Sequence, residues 1–155
     1  MAVICTLFSV SNDDLESPSV DVTLPSIADR TSRVSAAIGR PHIVELAEIW
    51  KPLHDALGEH GSEHPLGFLA AGGEPFKPLD DGSRSHGRFF TPAQTIKMLA
   101  AVARVTEDHL MRNIAKNKLL VMPAVAELIR SLTKLRVFLA EAVSSDRGVI
   151  VHHMQ

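Results

Sequence analysis

Eight histidines stand among 155 residues: His42, His54, His60, His64, His86, His109, His152 and His153. The densest group lies in His54-Asp55-Ala56-Leu57-Gly58-Glu59-His60-Gly61-Ser62-Glu63-His64. Imidazole and carboxylate are ligands that zinc takes. The His-Glu-x-x-His spacing, which sets two imidazoles on one helix face, does not occur. Gly58 and Gly61 also work against a regular helix that would present His60 and His64 together. The segment therefore reads as a polar loop, and neither a metal site nor a cofactor is expected. Gly72-Gly73-Glu74-Pro75 is a tight turn that could cradle an anion with its amides. It matches neither the phosphate-binding Gly-x-x-x-x-Gly-Lys-Ser/Thr loop nor Gly-x-Gly-x-x-Gly. Glu74, Asp80, Asp81 and His86 could exchange protons, but their spacing in an irregular segment sets no geometry. No Gly-x-Ser-x-Gly nucleophile elbow is present. Cys5 has no local histidine or cation to activate it and reads as a small buried hydrophobe. No catalytic residue is assigned.

The single tryptophan, Trp50, shares one helical side with Leu53, His54 and Leu57. Core packing explains that grouping. A groove beside the glycine turn is the alternative. The candidate pocket is then Trp50, Leu53, His54, Gly72, Gly73, Glu74, His86 and Arg88. In it Trp50 would cover a ligand, His54 or His86 would move a proton, and the Gly72 and Gly73 amides would hold an anionic group.

These residues need elements to position them. Ala2 to Val10 is a short apolar run closed by Ser11-Asn12-Asp13, which predicts a strand covered on both faces. Asn12 to Ser17 suits a helical turn. Ile27, Arg30, Val34, Ala37 and Ile38 suit a helix stopped by Gly39-Arg40-Pro41. Leu46, Ile49, Trp50, Leu53 and Leu57 suit a second helix from Ile43 to Leu57, awkward only at Pro52, where it could restart at Lys51. Glu59 to Arg88 reads as irregular, with one helical turn at Leu66 to Ala71. Such a long connection marks a functional or mobile region. Gly87 to Phe90 predicts a short strand. Thr91, Pro92 and Gln94 form a capping box, followed by a stripe of Ile96, Leu99, Ala100 and Ala103. Thr106 opens a further helix, with Leu110, Met111 and Ile114 on its apolar side. The last helix runs from Pro123 to Ser144 on Val125, Leu128, Ile129, Leu132, Leu135, Leu139 and Val143. Val149-Ile150-Val151 predicts a terminal strand. Strands at both ends around several helices predict an α+β fold with a small sheet, as one domain over 1–155.

Composition narrows the function. Hydrophobic residues are 45% and charged residues 22%, ordinary for a folded domain. Sixteen Lys and Arg face eighteen Asp and Glu, a net charge of −2, which argues against a nucleic-acid binder. No run approaches a membrane span. The apolar start has no positive region before it and does not read as a signal peptide. One cysteine suits a reducing compartment, so a cytoplasmic setting is expected. Arg112, Lys116 and Lys118 form a local basic patch without interleaved aromatics and read as solvated surface.

Several segments in order resemble the YfbM-like bacterial family, whose function is unknown. They are Trp50-Lys51-Pro52-Leu53-His54, Gly72-Gly73-Glu74-Pro75, Arg88-Phe89-Phe90-Thr91-Pro92-Ala93-Gln94 and Val105-Thr106-Glu107-Asp108-His109-Leu110. The helix led by Pro123 and the final apolar strand continue the likeness. Relatives tend to carry a Gly-Tyr-Gly-Pro-like stretch where this chain has Ser83-Arg84-Ser85-His86-Gly87, and this chain has no tyrosine. The resemblance implies a compact α+β fold and carries no catalytic mechanism. The leading expectation is a non-catalytic binding or interaction domain with a protein partner. A small-molecule-binding domain or enzyme, with its cleft near Gly72-Gly73, is the alternative.

Overall fold

The computed structural model describes residues 3–11, 42–58, 64–76, 85–117 and 122–154, with the side chains of 75, 76, 85, 86, 116, 117 and 122–124 set aside. The expected turn at Asn12 to Ser17 and the expected helix at Ser26 to Gly39 lie outside the described residues.

Strand β1 is Ile4–Val10. Its odd positions Cys5 and Leu7 enter one core, while Phe8 and Val10 enter a second on the opposite face. The expectation of a strand covered on both sides therefore holds. β2 (Ile43–Ala47) pairs antiparallel with β1, setting Leu7 opposite Val44 and Phe8 opposite Ile43. This corrects the helix expected from Ile43. Ile43 and Val44 are β-branched, and Val44 and Leu46 alternate inward while Glu45 and Ala47 are exposed. Helical spacing and strand alternation share Leu46, and pairing with β1 decides between them.

The helix begins instead at Trp50. In α1 (Trp50–Ala56), Pro52 falls in the first turn, where a helix leaves its amides unbonded anyway. At the other end of α1 the carbonyl of Ala56 accepts a hydrogen bond from Asn113 Nδ2 at 2.9 Å, and Gly58 leaves the helix at φ 111°.

The segment from Glu59 to Arg88 holds more regular structure than expected. Pro65–Leu69 is a 3-10 turn, and β3 (Glu74–Phe76) pairs antiparallel with β4 (Ser85–Phe90). Helix α2 (Pro92–Ala103) carries the expected capping box: Gln94 N–H donates to Thr91 Oγ1, and Thr91 N–H donates to Gln94 Oε1. Its buried side is Thr95, Met98 and Val102, with Leu99 half-buried. The expected stripe of Ile96, Leu99, Ala100 and Ala103 is rotated by one residue, and Ile96 is 53% exposed. Thr95 can be buried because its hydroxyl donates to Thr91 O at 2.8 Å.

Helix α3 (Glu107–Asn117) buries Leu110 and Ile114. Helix α4 (Met122–Ser144) buries Val125, Leu128, Leu132, Leu135 and Leu139 as expected, with Phe138 and Ala142 added. Arg136 of α4 donates to the carbonyls of Val102 and Val105 and so fixes the corner between α2 and α3.

β5 (Gly148–Met154) lies between β1 and β4, antiparallel to both. The sheet order is β2-β1-β5-β4-β3. Helix residues join Cys5, Leu7, Val44, Leu46, Val149 and Val151 in the larger core, so the helices pack on that face. The result is an α+β fold whose sheet includes both expected terminal strands as central neighbours. Among the described residues no helix is long and apolar enough to cross a membrane.

Candidate functional site

The eight residues expected to form a pocket are divided by this fold. Leu53 is fully buried in the core. Trp50 donates its indole N–H to Val3 O at 2.9 Å and meets the His153 ring edge-on, with centroids 4.6 Å apart. It closes the end of the sheet where His153 faces Cys5. The glycine turn sits beside Phe89 and Phe90, and Phe90 pairs with Val149 at the other end of β5. Four residues of strand separate Val149 from His153, roughly 13 Å. Glu74 pairs with Phe89, so it projects with Phe89 to the face opposite the helices, where it is exposed. His54 is half-buried on α1. Neither His54 nor Glu74 lines the pockets described below. His86 lies on β4, and its side chain is outside the description. Asp80, Asp81 and His60 are also outside the described residues. Among the described residues no three His, Cys, Asp or Glu side chains gather to hold a metal ion.

Gly72, Gly73 and Arg88 do come together. Both glycines have positive φ, 86° and 68°. A Cβ on Gly73 would stand 2.7 Å from Phe89 O and 3.1 Å from the Phe90 ring. Glycine is required there by close packing as well as by backbone conformation. Arg88 reaches across from β4, donating to Phe68 O at 2.9 Å and Gly72 O at 3.2 Å, with its guanidinium 5.7 Å from the Phe90 ring centroid. Burial draws its pKa down from the usual value. The same burial pushes the Cys5 thiol up to about 12, only partly opposed by the nearby Arg88 charge. Arg88 thus ties the glycine turn and the 3-10 turn to the sheet.

The tied turn forms one wall of a pocket of about 380 Å³. Gly72 and Gly73 line it, with Phe68, Phe90 and Met98 as its apolar part and Lys97 at its edge toward α2. His64, Pro65 and Lys97 also border a second, open pocket of about 640 Å³. The two adjoin as one channel. Its further part runs over Ala100 and Ala101 to Arg104, then to Thr106 and Arg112. Lys97, Arg104 and Arg112 are exposed, and no carboxylate lines either pocket among the described residues. Glu107 and Asp108, in the first turn of α3, are exposed and line neither. Lys97 and Arg104 make no ion pair within the described residues. His64 Nδ1 accepts the Leu66 amide at 3.1 Å, which puts the proton of the neutral ring on Nε2.

The comparisons with known proteins agree with this fold. A family model described as a domain of unknown function, DUF1877, matches residues 1–152. The chain belongs to the DUF1877 family. A solved structure of the same shape is that of YfbM from Escherichia coli, titled a protein of unknown function. It is 9% identical, with a TM-score of 0.62, over 97% of this chain and 99% of that one. At that identity the likeness concerns the fold. No functionally curated protein matches the chain. The DUF1877 assignment bears out the YfbM-like resemblance and leaves the chemistry to be argued from the residues.

The channel of this DUF1877 chain had a signal in the sequence that a hydrophobicity reading passes over. Lys97, Ala100, Ala101 and Arg104 fall at i, i+3, i+4 and i+7, one helix face with two cations flanking a floor of small residues. Ala100 also fits an apolar stripe, and Arg112 also fits a solvated basic patch, so neither stands out by hydrophobicity.

Proposed function

We propose that this chain is a non-catalytic binding domain and that its working surface is the channel bordered by the 3-10 turn, α2 and the start of α3. One observation carries the reading. A chain of net charge −2 gathers Lys97, Arg104 and Arg112 around one concave surface that no described carboxylate lines. Like charges around one surface repel one another in the free protein, and a ligand of opposite charge relieves this. A protein partner suits an open, elongated surface better than an enclosed one-ligand pocket does. The alternative is a small molecule seated in the pocket beside Gly72 and Gly73.

The test is capture from a lysate of the cells that make the protein, comparing the wild type with a Lys97→Glu/Arg104→Glu variant. Both substitutions fall at exposed positions, where little change in stability is expected. A stoichiometric protein retained by the wild type and lost with the variant is the expected result. A metabolite lost in the same way would favour the alternative. A partner held equally by both proteins would move the working surface elsewhere. Turnover of a retained metabolite, abolished by the same variant, would replace binding with catalysis.

A further inference from the structure

The channel has two chemically distinct parts. One end is apolar, where Phe68, Phe90 and Met98 meet at the glycine turn. The other is an open trough whose cations come from backbone positions spread along its length. Lys97 and Arg104 are seven residues apart along α2, about 10 Å at the helical rise. Arg112 adds a third cation from α3. Charges spread in this way do not converge on a single phosphate, which is best held by donors that surround it. An extended polypeptide advances ~3.3 Å per residue, so acidic side chains two to three residues apart meet cations at this spacing. The alanine floor between them leaves room for a backbone to lie close to α2.

We infer that the channel takes an extended acidic segment of a partner protein, with one large apolar side chain entering the Phe68–Phe90–Met98 pocket and carboxylates following along Lys97, Arg104 and Arg112. The inference rests on the proposed reading of the channel as the working surface and adds the chemistry of its occupant. Arg88 is a positioning residue in this arrangement. Its bonds to Phe68 O and Gly72 O hold the pocket wall, and its charge stays behind that wall.

The probe is an N-acetylated peptide of one phenylalanine followed by six glutamates. Its counterparts are the same peptide with glutamines and one with alanine in place of phenylalanine. Backbone amide shifts of the isotope-labelled full chain report where each binds and how tightly. The acidic peptide should perturb the amides around Lys97 to Arg104. It should bind roughly tenfold or more tightly than the glutamine peptide at low salt and lose that margin as salt rises. Replacing phenylalanine should weaken binding roughly tenfold. Lys97→Glu and Arg104→Glu should each weaken it several-fold.

Equal binding of the glutamine peptide at the channel would overturn the acidic occupant and leave the binding surface standing. Inorganic pyrophosphate or a short oligonucleotide that shifts the same amides more tightly than the peptide would overturn it in favour of that ligand class. So would no binding of the acidic peptide at about millimolar concentration, with the lysate comparison then deciding separately whether the channel is used at all. Acidic-peptide binding indifferent to both charge reversals would sink the inference and the proposed surface together.

Discussion

Cys5, Trp50 and His153 meet at one end of the sheet, while Lys97, Arg104 and Arg112 border the channel. The first group holds the residue types with the widest chemical range, and the fold commits them to packing. Cys5 is fully buried, the Trp50 indole is bonded to Val3 O, and the His153 ring is pressed against it. The second group holds ordinary surface cations, and the fold leaves them around a concavity. A residue's reactivity in isolation is thus a poor guide to its use here. What distinguishes the two regions is whether the neighbours enclose each polar group or leave it open to something outside.

The largest effect that could break this contrast is at Cys5. With its pKa at about 12 against 9.0 for an ordinary thiol, it is ionised roughly a thousandfold less at about pH 8. Alkylation of the native protein should be slower than that of the unfolded chain by at least this factor. Rapid native labelling would show that the seam is open. The same shift fixes a pH dependence. The folded state retains a proton that the unfolded chain has lost, so stability should fall from about pH 9 to about pH 12, as urea midpoints across that range would show.

Trp50→Ala should come next, destabilising by about 3 kcal/mol through lost packing and the unpaired Val3 carbonyl. A loss below about 1 kcal/mol in urea unfolding would mean that the indole is not part of the closure. Gly73→Ala should follow at about 2 kcal/mol, from the left-handed backbone and the contact with Phe89 O. Asn113→Ala should cost about 1 kcal/mol by uncovering the Ala56 carbonyl. Smallest of all, Lys97→Glu and Arg104→Glu should each change stability by no more than about 0.5 kcal/mol. A marked stabilisation by either would mean that the cations strain the channel more than its exposure suggests.

The sequence carried the fold further than the site. Both terminal strands, the Thr91–Gln94 box and the long final helix follow from short-range rules and appear in place, although the final strand runs three residues past its expected end. Ile43 to Ala47 is a short apolar run that fits two periods, and only the neighbouring strand selects one. β3 has no sequence signal because three residues carry no period at all. The candidate pocket is a different matter. Trp50 and Glu74 look like neighbours in a sequence-ordered cleft, but the pleat sends Glu74 to the face opposite the core that Trp50 packs against. Gly72 and Gly73 stand out in the sequence as a paired-glycine turn, and both have positive φ. Their partners Phe89, Phe90 and Arg88 become evident only through strand pairing.

The central position of β5 bears on how the molecule is made. A ribosome delivers β1, β2, β3 and β4 before it delivers β5, yet β5 joins the β2-β1 pair to the β4-β3 pair. Until then, two hairpin-sized halves wait with β1 and β4 each missing one neighbour, and unpaired strand edges invite association with other chains. Something that shields those edges should therefore favour correct folding during the interval before β5 joins the two halves.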